Sequence, residues 1–149
     1  MADKTKAGKK FPAVVWEVER GKMREFVRAI GDMNPIFTDK AAAEKEGYRD
    51  TPASTTFLTV PAMWCNILAN ILIDLNVNIA MILHGEEEYE YYQEIYPGDI
   101  LTGIPQITRI EEKASKSGRL MDMVTIETLY MNQKGENVAK ARSLIVERK

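Results

Sequence analysis

The side chains best suited to proton transfer stand in two short stretches. In Gly31-Asp32-Met33-Asn34-Pro35 a carboxylate and a carboxamide precede a proline. Proline confines the residue before it to extended or turn conformations, so Asp32 is placed on a bend and not on a smooth helix face. A carboxylate held there can act as general acid or base, and loops fixed by a scaffold often carry such groups. Asp32 and Asn34 can equally bond local backbone N–H groups, as turn residues do. The second stretch, Leu83-His84-Gly85-Glu86, holds the sole histidine. Its imidazole either bonds backbone beside a bulge glycine, or faces a binding site or a partner subunit.

The elements that must position these groups follow from periodicity. Residues 11–18 form a first strand with Val14, Trp16 and Val18 on one face, and Gly21 ends it. Residues 23–30 form a short helix that turns Phe26, Val27 and Ile30 inward and delivers the chain to the Asp32 bend. Thr38 or Asp39 caps an alanine-rich helix over 40–46, closed by Gly47. Residues 57–74 are predicted to be one long helix, apolar around most of its girth, with Asn66, Asn70 and Asp74 in a single polar stripe. Two asparagines interrupt that run and Pro61 sits near its start, which argues against a membrane span of about 20 apolar residues.

Strands make up the remainder. Over 81–94, Glu86, Glu88 and Glu90 alternate with Tyr89 and Tyr91. The stretch 100–112 contains Gly103 and Pro105, which suggests an edge or a bulge. Ser117-Gly118 turns into 120–131, apolar on both faces, and residues 132–135 turn again into 138–146. There Ala139, Ala141 and Ser143 make a small-residue face, with Lys140 and Arg142 toward solvent. Short turns join strands antiparallel, so the expected fold is α+β, with an antiparallel sheet curled around one central helix.

The run Gly31-Asp32-x-Asn34-Pro35, then Asp39, an alanine helix and Gly47-Tyr48, resembles the MaoC-like hydratase/dehydratase family. The likeness is closest to the N-terminal-type subdomain found in two-subunit hydroxyacyl-thioester dehydratases, and it runs from about Phe11 to Arg148. The resemblance implies a hot-dog fold, a dimer with a second hot dog, and reversible addition of water across an enoyl thioester. In that chemistry a base takes a proton from Cα or water, an acid protonates the departing hydroxyl, and N–H groups at a helix start stabilise the thioester oxygen. The family pairs the motif's aspartate with a histidine two residues after the proline. Here that position is Phe37, and the long helix is entered through Ala53-Ser54-Thr55-Thr56-Phe57 without a glycine.

The resemblance therefore assigns Asp32 and His84 as candidate acid/base residues. Asn34, Phe37, Tyr48, Thr55, Thr56, Phe57 and Gly85 are candidate acyl-site residues. Tyr48, Phe57, Met63 and Trp64 suit a core as well as an acyl channel. The leading expectation is an acyl-thioester-binding subunit that needs a catalytic partner. A homodimeric hydratase using Asp32 and His84, and a binding module without turnover, stand as alternatives. The ligand is an acyl-CoA or acyl-carrier-protein thioester, with no cofactor.

Composition sets the outer limits. The 149 residues suit one domain over 11–149 behind a solvated basic tail carrying Lys4, Lys6, Lys9 and Lys10. A formal net charge of −2 does not ask for nucleic acid. One cysteine, Cys65, excludes an internal disulfide and fits a reducing cytoplasm. With only one histidine beside it, a protein-only zinc site has too few ligands of that kind.

Overall fold

The computed structural model describes residues 2–116 and 118–148. Met1, Ser117 (the first residue of an expected turn) and Lys149 lie outside the described residues. Five strands, β1 (Val14–Glu17), β2 (Ile82–Tyr91), β3 (Ile100–Ala114), β4 (Leu120–Met131) and β5 (Asn137–Arg148), form one antiparallel sheet in the order β1-β3-β4-β5-β2. Among the described residues four α-helices accompany it: α1 (Arg20–Ala29), α2 (Lys40–Lys45), α3 (Thr59–Trp64) and α4 (Ile67–Asp74). This is the hot-dog arrangement.

The predicted long helix is broken. Cys65 and Asn66 donate back to Pro61 and Met63 and close α3. Asn66 then adopts a left-handed backbone, φ 52°, and starts α4 as its N-cap. Asparagine tolerates that conformation better than most residues, so the polar position that interrupts the apolar run is also where the axis breaks. Burial is one-sided too. Ile67, Ile71 and Leu75, spaced by four, pack onto Ile107, Val124, Ile126 and Ile145 of the sheet. Phe57, Leu58 and Val60 pack onto Leu101, Tyr130, Ala139 and Ala141. The small-residue face of β5 thus receives α3, as its alanines predicted. On the outer face, Met63 and Ile73 are 70% and 72% exposed. The expectation of a helix wrapped on most of its girth does not hold in the single chain.

Residues 2–10 are not a free tail. β1 covers only Ile100 to Gly103 of the much longer β3, and the N-terminal segment takes up the next stretch of that edge. Gly8 N–H donates to Ile107 O at 2.7 Å, Ile107 N–H to Lys9 O at 2.9 Å, and Phe11 N–H to Pro105 O at 2.9 Å. Lys6 and Lys9 meet the Asp74 carboxylate at 3.1 and 2.7 Å, so the lysines read as solvated hold the end of α4. Ala2 is buried, and its N–H donates to Asp122.

Two smaller expectations also change. Ile30 caps α1 and is about half exposed, while Met23 and Val27 supply that helix's buried face. β3 is an interior strand; its bulge lies between Ile107 and Arg109. Gly103 is needed because a Cβ there would lie 2.7 Å from the ring of the buried Tyr130.

Candidate functional site

The Asp32 bend is built from its own backbone. Gly31, with φ +73°, closes α1, and Asp32 N–H donates to Val27 O at 3.1 Å. Asp32 Oδ1 accepts the Asn34 N–H at 2.9 Å. Asn34 Oδ1 accepts the Ile36 N–H at 3.1 Å and caps the 3₁₀ turn Pro35–Phe37. Both side chains thus do turn work, and Phe37 sits half-buried on that turn. Asp39 caps α2 through Ala41 and Ala42. A small cleft of about 370 Å³ brings Asn34 beside Tyr48, with Lys45 and Glu46 on its wall. Asp32 and Phe37 are not among its lining residues.

The start of α1, the end away from the bend, is tied to the approach to α3 by a two-pronged ion pair. Arg20 donates to both carboxylate oxygens of Asp50, at 2.7 and 2.8 Å, and to Thr51 Oγ1 at 3.0 Å. The guanidinium holds the Asp50 carboxyl well below the usual carboxylate range. Beyond it, Thr55 and Thr56 are exposed, and the Thr55 carbonyl accepts the Tyr91 hydroxyl at 2.8 Å. Phe57, a candidate acyl contact, is instead fully buried, edge-on to Phe26 with ring centroids 5.9 Å apart. Its length and apolarity recruit it to the core.

A larger groove, about 720 Å³, runs between the outer face of α3–α4 and β2. Its walls are mostly apolar, from Ala62, Met63, Leu68, Leu72, Ile73 and Ile79. One wall is polar. His84 Nε2 lies 3.2 Å from Glu87 Oε2, and Ser143 Oγ donates to the same oxygen at 2.5 Å. Tyr89 OH and Thr59 Oγ1 share a hydrogen bond of 2.7 Å across the groove from strand to helix. Burial pushes the Tyr89 phenol up to about 12, outweighing the opposing hydrogen bond from Thr59.

The polar wall depends on Gly85. His84 pairs with Ile145 and Glu87 with Ser143, two residues apart on β5, although three separate them on β2. The extra residue is a β-bulge, and it returns His84 and Glu87 to one face of the sheet. A Cβ on Gly85 would lie 3.1 Å from the Leu144 carbonyl oxygen. Glu86, Glu88 and Glu90 face the other way as predicted, with Glu88 on Arg142 and Glu90 on Lys140.

His84 lines the larger groove, and Asp32 lines neither that groove nor the small cleft. Sequence reasoning passed over Glu87, Thr59 and Ser143. The available signal was the bulge glycine, which interrupts side-chain alternation after His84 and brings His84 onto the face of Glu87 and Tyr89. Among the described residues no group of three His, Cys, Asp or Glu side chains is placed to hold a metal, and no helix is long and apolar enough to cross a membrane.

A family model described as "FAS1-like, dehydratase domain region" matches residues 5–141. The chain belongs to that family. It is 32% identical to a UPF0336 protein of Streptomyces avermitilis, over 98% of this chain and 95% of that one. A second UPF0336 protein, from Thermobifida fusca, is 32% identical over 89% of this chain and 84% of its own length. Among solved structures, the fold matches a chain of the Mycobacterium tuberculosis HadBC (3R-hydroxyacyl-ACP dehydratase) complex. That match has a TM-score of 0.80 at 24% identity and covers 95% of this chain and 96% of that one. A MaoC-like dehydratase matches at TM-score 0.81 and 29% identity; it covers 97% of this chain but only 42% of the other. The MaoC-like hot-dog resemblance read from the Asp32 motif is thereby established for this FAS1-like dehydratase-region protein.

Proposed function

We propose that this protein is the acyl-thioester-binding subunit of an (R)-3-hydroxyacyl-thioester dehydratase or enoyl-CoA hydratase, working beside a second hot-dog chain that carries the full Asp/His pair. The observation that carries the reading is Phe37. Reversible hydration needs a group that gives and takes a proton next to the motif's aspartate, and a phenyl ring does neither. Asp32 itself is engaged by the Asn34 N–H. The aspartate position alone would have to serve as both acid and base.

What this chain offers instead is a surface for a chain-like apolar ligand and an edge for a partner. The groove between α3–α4 and β2 is long, open and apolar on most of its wall. β2 is the sheet's outer strand beyond β5, and a strand edge of ten residues is a template for pairing. A second subunit aligned there would continue the sheet and close the open side of the groove. Exposed Met63, Ile73 and Leu83 lie on or near that side and gain burial from it. The HadBC similarity is to a chain taken from a two-protein complex. The MaoC-like dehydratase chain is more than twice the matched length, which leaves room for a second unit of this size. The ligand would be an acyl-CoA or acyl-carrier-protein thioester. The thiol of Cys65, with no disulfide available to it, suits a cytoplasmic setting.

Co-purification from the native cell tests the assignment, followed by crotonyl-CoA hydration with and without the recovered partner. The expected result is a heterodimeric hot-dog complex that hydrates crotonyl-CoA, and a single-chain preparation that binds acyl-CoA without turning it over. A strictly monomeric protein with no partner, by size-exclusion chromatography with light scattering, would refute it.

A further inference from the structure

The two faces of α4 do different things. Its outer face, through Leu68, Ala69, Leu72 and Ile73, is one wall of the large groove. Its inner face meets the sheet through apolar side chains, Ile67 and Ile71, with Leu75 just beyond. Apolar burial is non-directional, so it holds the helix down without fixing where on the sheet it lies. Directional ties are needed for that. The chain past α4 is tied to β5, where the Asn78 N–H donates to Glu147 at 2.8 Å. On the β3 side the tie is the N-terminal segment.

That segment is anchored on the edge of β3 by its backbone, through Gly8, Lys9 and Phe11, and it reaches α4 with its side chains. Lys9 lies 2.7 Å and Lys6 3.1 Å from the Asp74 carboxylate. Lys6 also donates to the carbonyl of Asp74, the last residue of α4. Two ammonium groups at this helix end therefore meet both the carboxylate and the negative end of the helix dipole. Lys9 and Lys6 hold the Asp74 carboxyl below its ordinary value. Ala2 packs in the same apolar cluster as Ile67, Ile71 and Leu75. Isolated surface ion pairs contribute little. Here the side chains of Lys6 and Asp74 are only 25% and 27% exposed, and pairing with β3 has already ordered the backbone that carries the lysines.

We propose that residues 2–10 are a clamp that sets where α4 lies, and so how wide the groove opens for its ligand, with Lys6 and Lys9 as the positioning residues. The inference rests on the acyl-thioester reading for the identity of that ligand. It gives the basic N-terminal segment a part in ligand binding although none of its residues lines the groove.

A distance measurement between spin labels tests this in the full chain. The background is Cys65→Ala, with labels at Asn70→Cys on α4 and Glu86→Cys on β2, neither of which lines the groove. In Lys6→Gln/Lys9→Gln the α4–β2 distance should shift or spread by on the order of 1–2 Å, the size of a helix shift on a packed surface. Decanoyl-CoA, titrated calorimetrically into the unlabelled variant, should bind about fivefold more weakly than to wild type. Lys6→Arg/Lys9→Arg keeps both charges and should restore both readouts. A role in stability alone would leave the distance in folded protein unmoved. Lys10→Gln removes the same charge one residue away from the Asp74 contact and should match wild type. Where circular dichroism shows that the double variant does not fold, Lys9→Gln alone carries the comparison. An unchanged distance or an unchanged affinity in the folded variant, or an equal change in Lys10→Gln, overturns the clamp and leaves the acyl-binding subunit standing. Wild-type protein that binds no decanoyl-CoA, while the distance still responds to Lys6 and Lys9, overturns the acyl reading and leaves the clamp on α4.

Discussion

At the bend, the oxygens of Asp32 and Asn34 accept the N–H groups of Asn34 and Ile36, two residues further along. On β2, His84 and Ser143 converge on the Glu87 carboxylate across a strand pair, beside an apolar groove. The first region carries the residues by which the family is recognised, and those residues are occupied with local turn geometry. The second carries no part of the Asp32 motif, yet it sets an imidazole beside a carboxylate on the groove wall. A motif marks ancestry and fold at the bend, whereas on β2 a bulge brings an imidazole and a carboxylate onto one face of the groove wall.

The largest expected effect restores chemistry to the bend. Phe37→His puts an imidazole where the family has one, and proton transfer by a placed group is worth roughly 10²–10⁴-fold. The variant should gain enoyl-CoA hydration of at least about a hundredfold over wild type, and Asp32→Asn in the same chain should remove it. A gain that survives Asp32→Asn would place the new histidine in some other site and break the comparison.

Stability gives the next largest contrast, along α4. Ile71 is fully buried and Ile73 is 72% exposed two residues later. Ile71→Ala should cost ~2–5 kcal/mol in urea unfolding. Ile73→Ala in the isolated chain should stay within about 0.5 kcal/mol. A comparable loss at Ile73 would mean that the outer face is already covered in solution.

Gly85→Ala tests the bulge directly. The added Cβ presses on a backbone oxygen at 3.1 Å, which only a shift of β5 relieves. The expected loss is about 1 kcal/mol. An unchanged stability would show that β5 takes up the added Cβ without strain.

The smallest effect is on the alkaline limb of stability. The Tyr89 phenol titrates at about 12 in the fold, against an unfolded value near 10. A raised folded pKa means that the unfolded chain loses its proton first. The contribution of Tyr89 is fully present below about pH 10 and is lost as pH rises to about 12. Tyr89→Phe should flatten that part of the pH–stability curve, read by chemical unfolding at stepped pH. An identical alkaline loss in the variant would assign it elsewhere.

Much of the fold was legible in the sequence. Alternating Glu and Tyr over 86–91 set the faces of β2, small residues marked where β5 meets α3, and turn residues separated β3, β4 and β5. The break in the central helix was not legible, because Asn66 suits either a polar stripe or a left-handed backbone, and packing decides between them. The N-terminal segment misled through its lysines: charge suggests solvation, but Asp74 and the uncovered length of β3 supply partners. At the site, the missing imidazole at Phe37 could be read directly. The pairing of His84 with Glu87 could not, since strand periodicity places His84 on the face opposite Glu87 until one extra residue is inserted at Gly85. Phe57 was ambiguous between channel and core, and only the Phe26 contact resolves it.

Steady-state hydration of crotonyl-CoA by the purified chain alone tests the central claim most directly. The account predicts no turnover above buffer, with hydration appearing once a catalytic hot-dog subunit is added. Full hydratase activity of the isolated chain, abolished by His84→Ala, would contradict it and establish a hydratase that works without a second gene product.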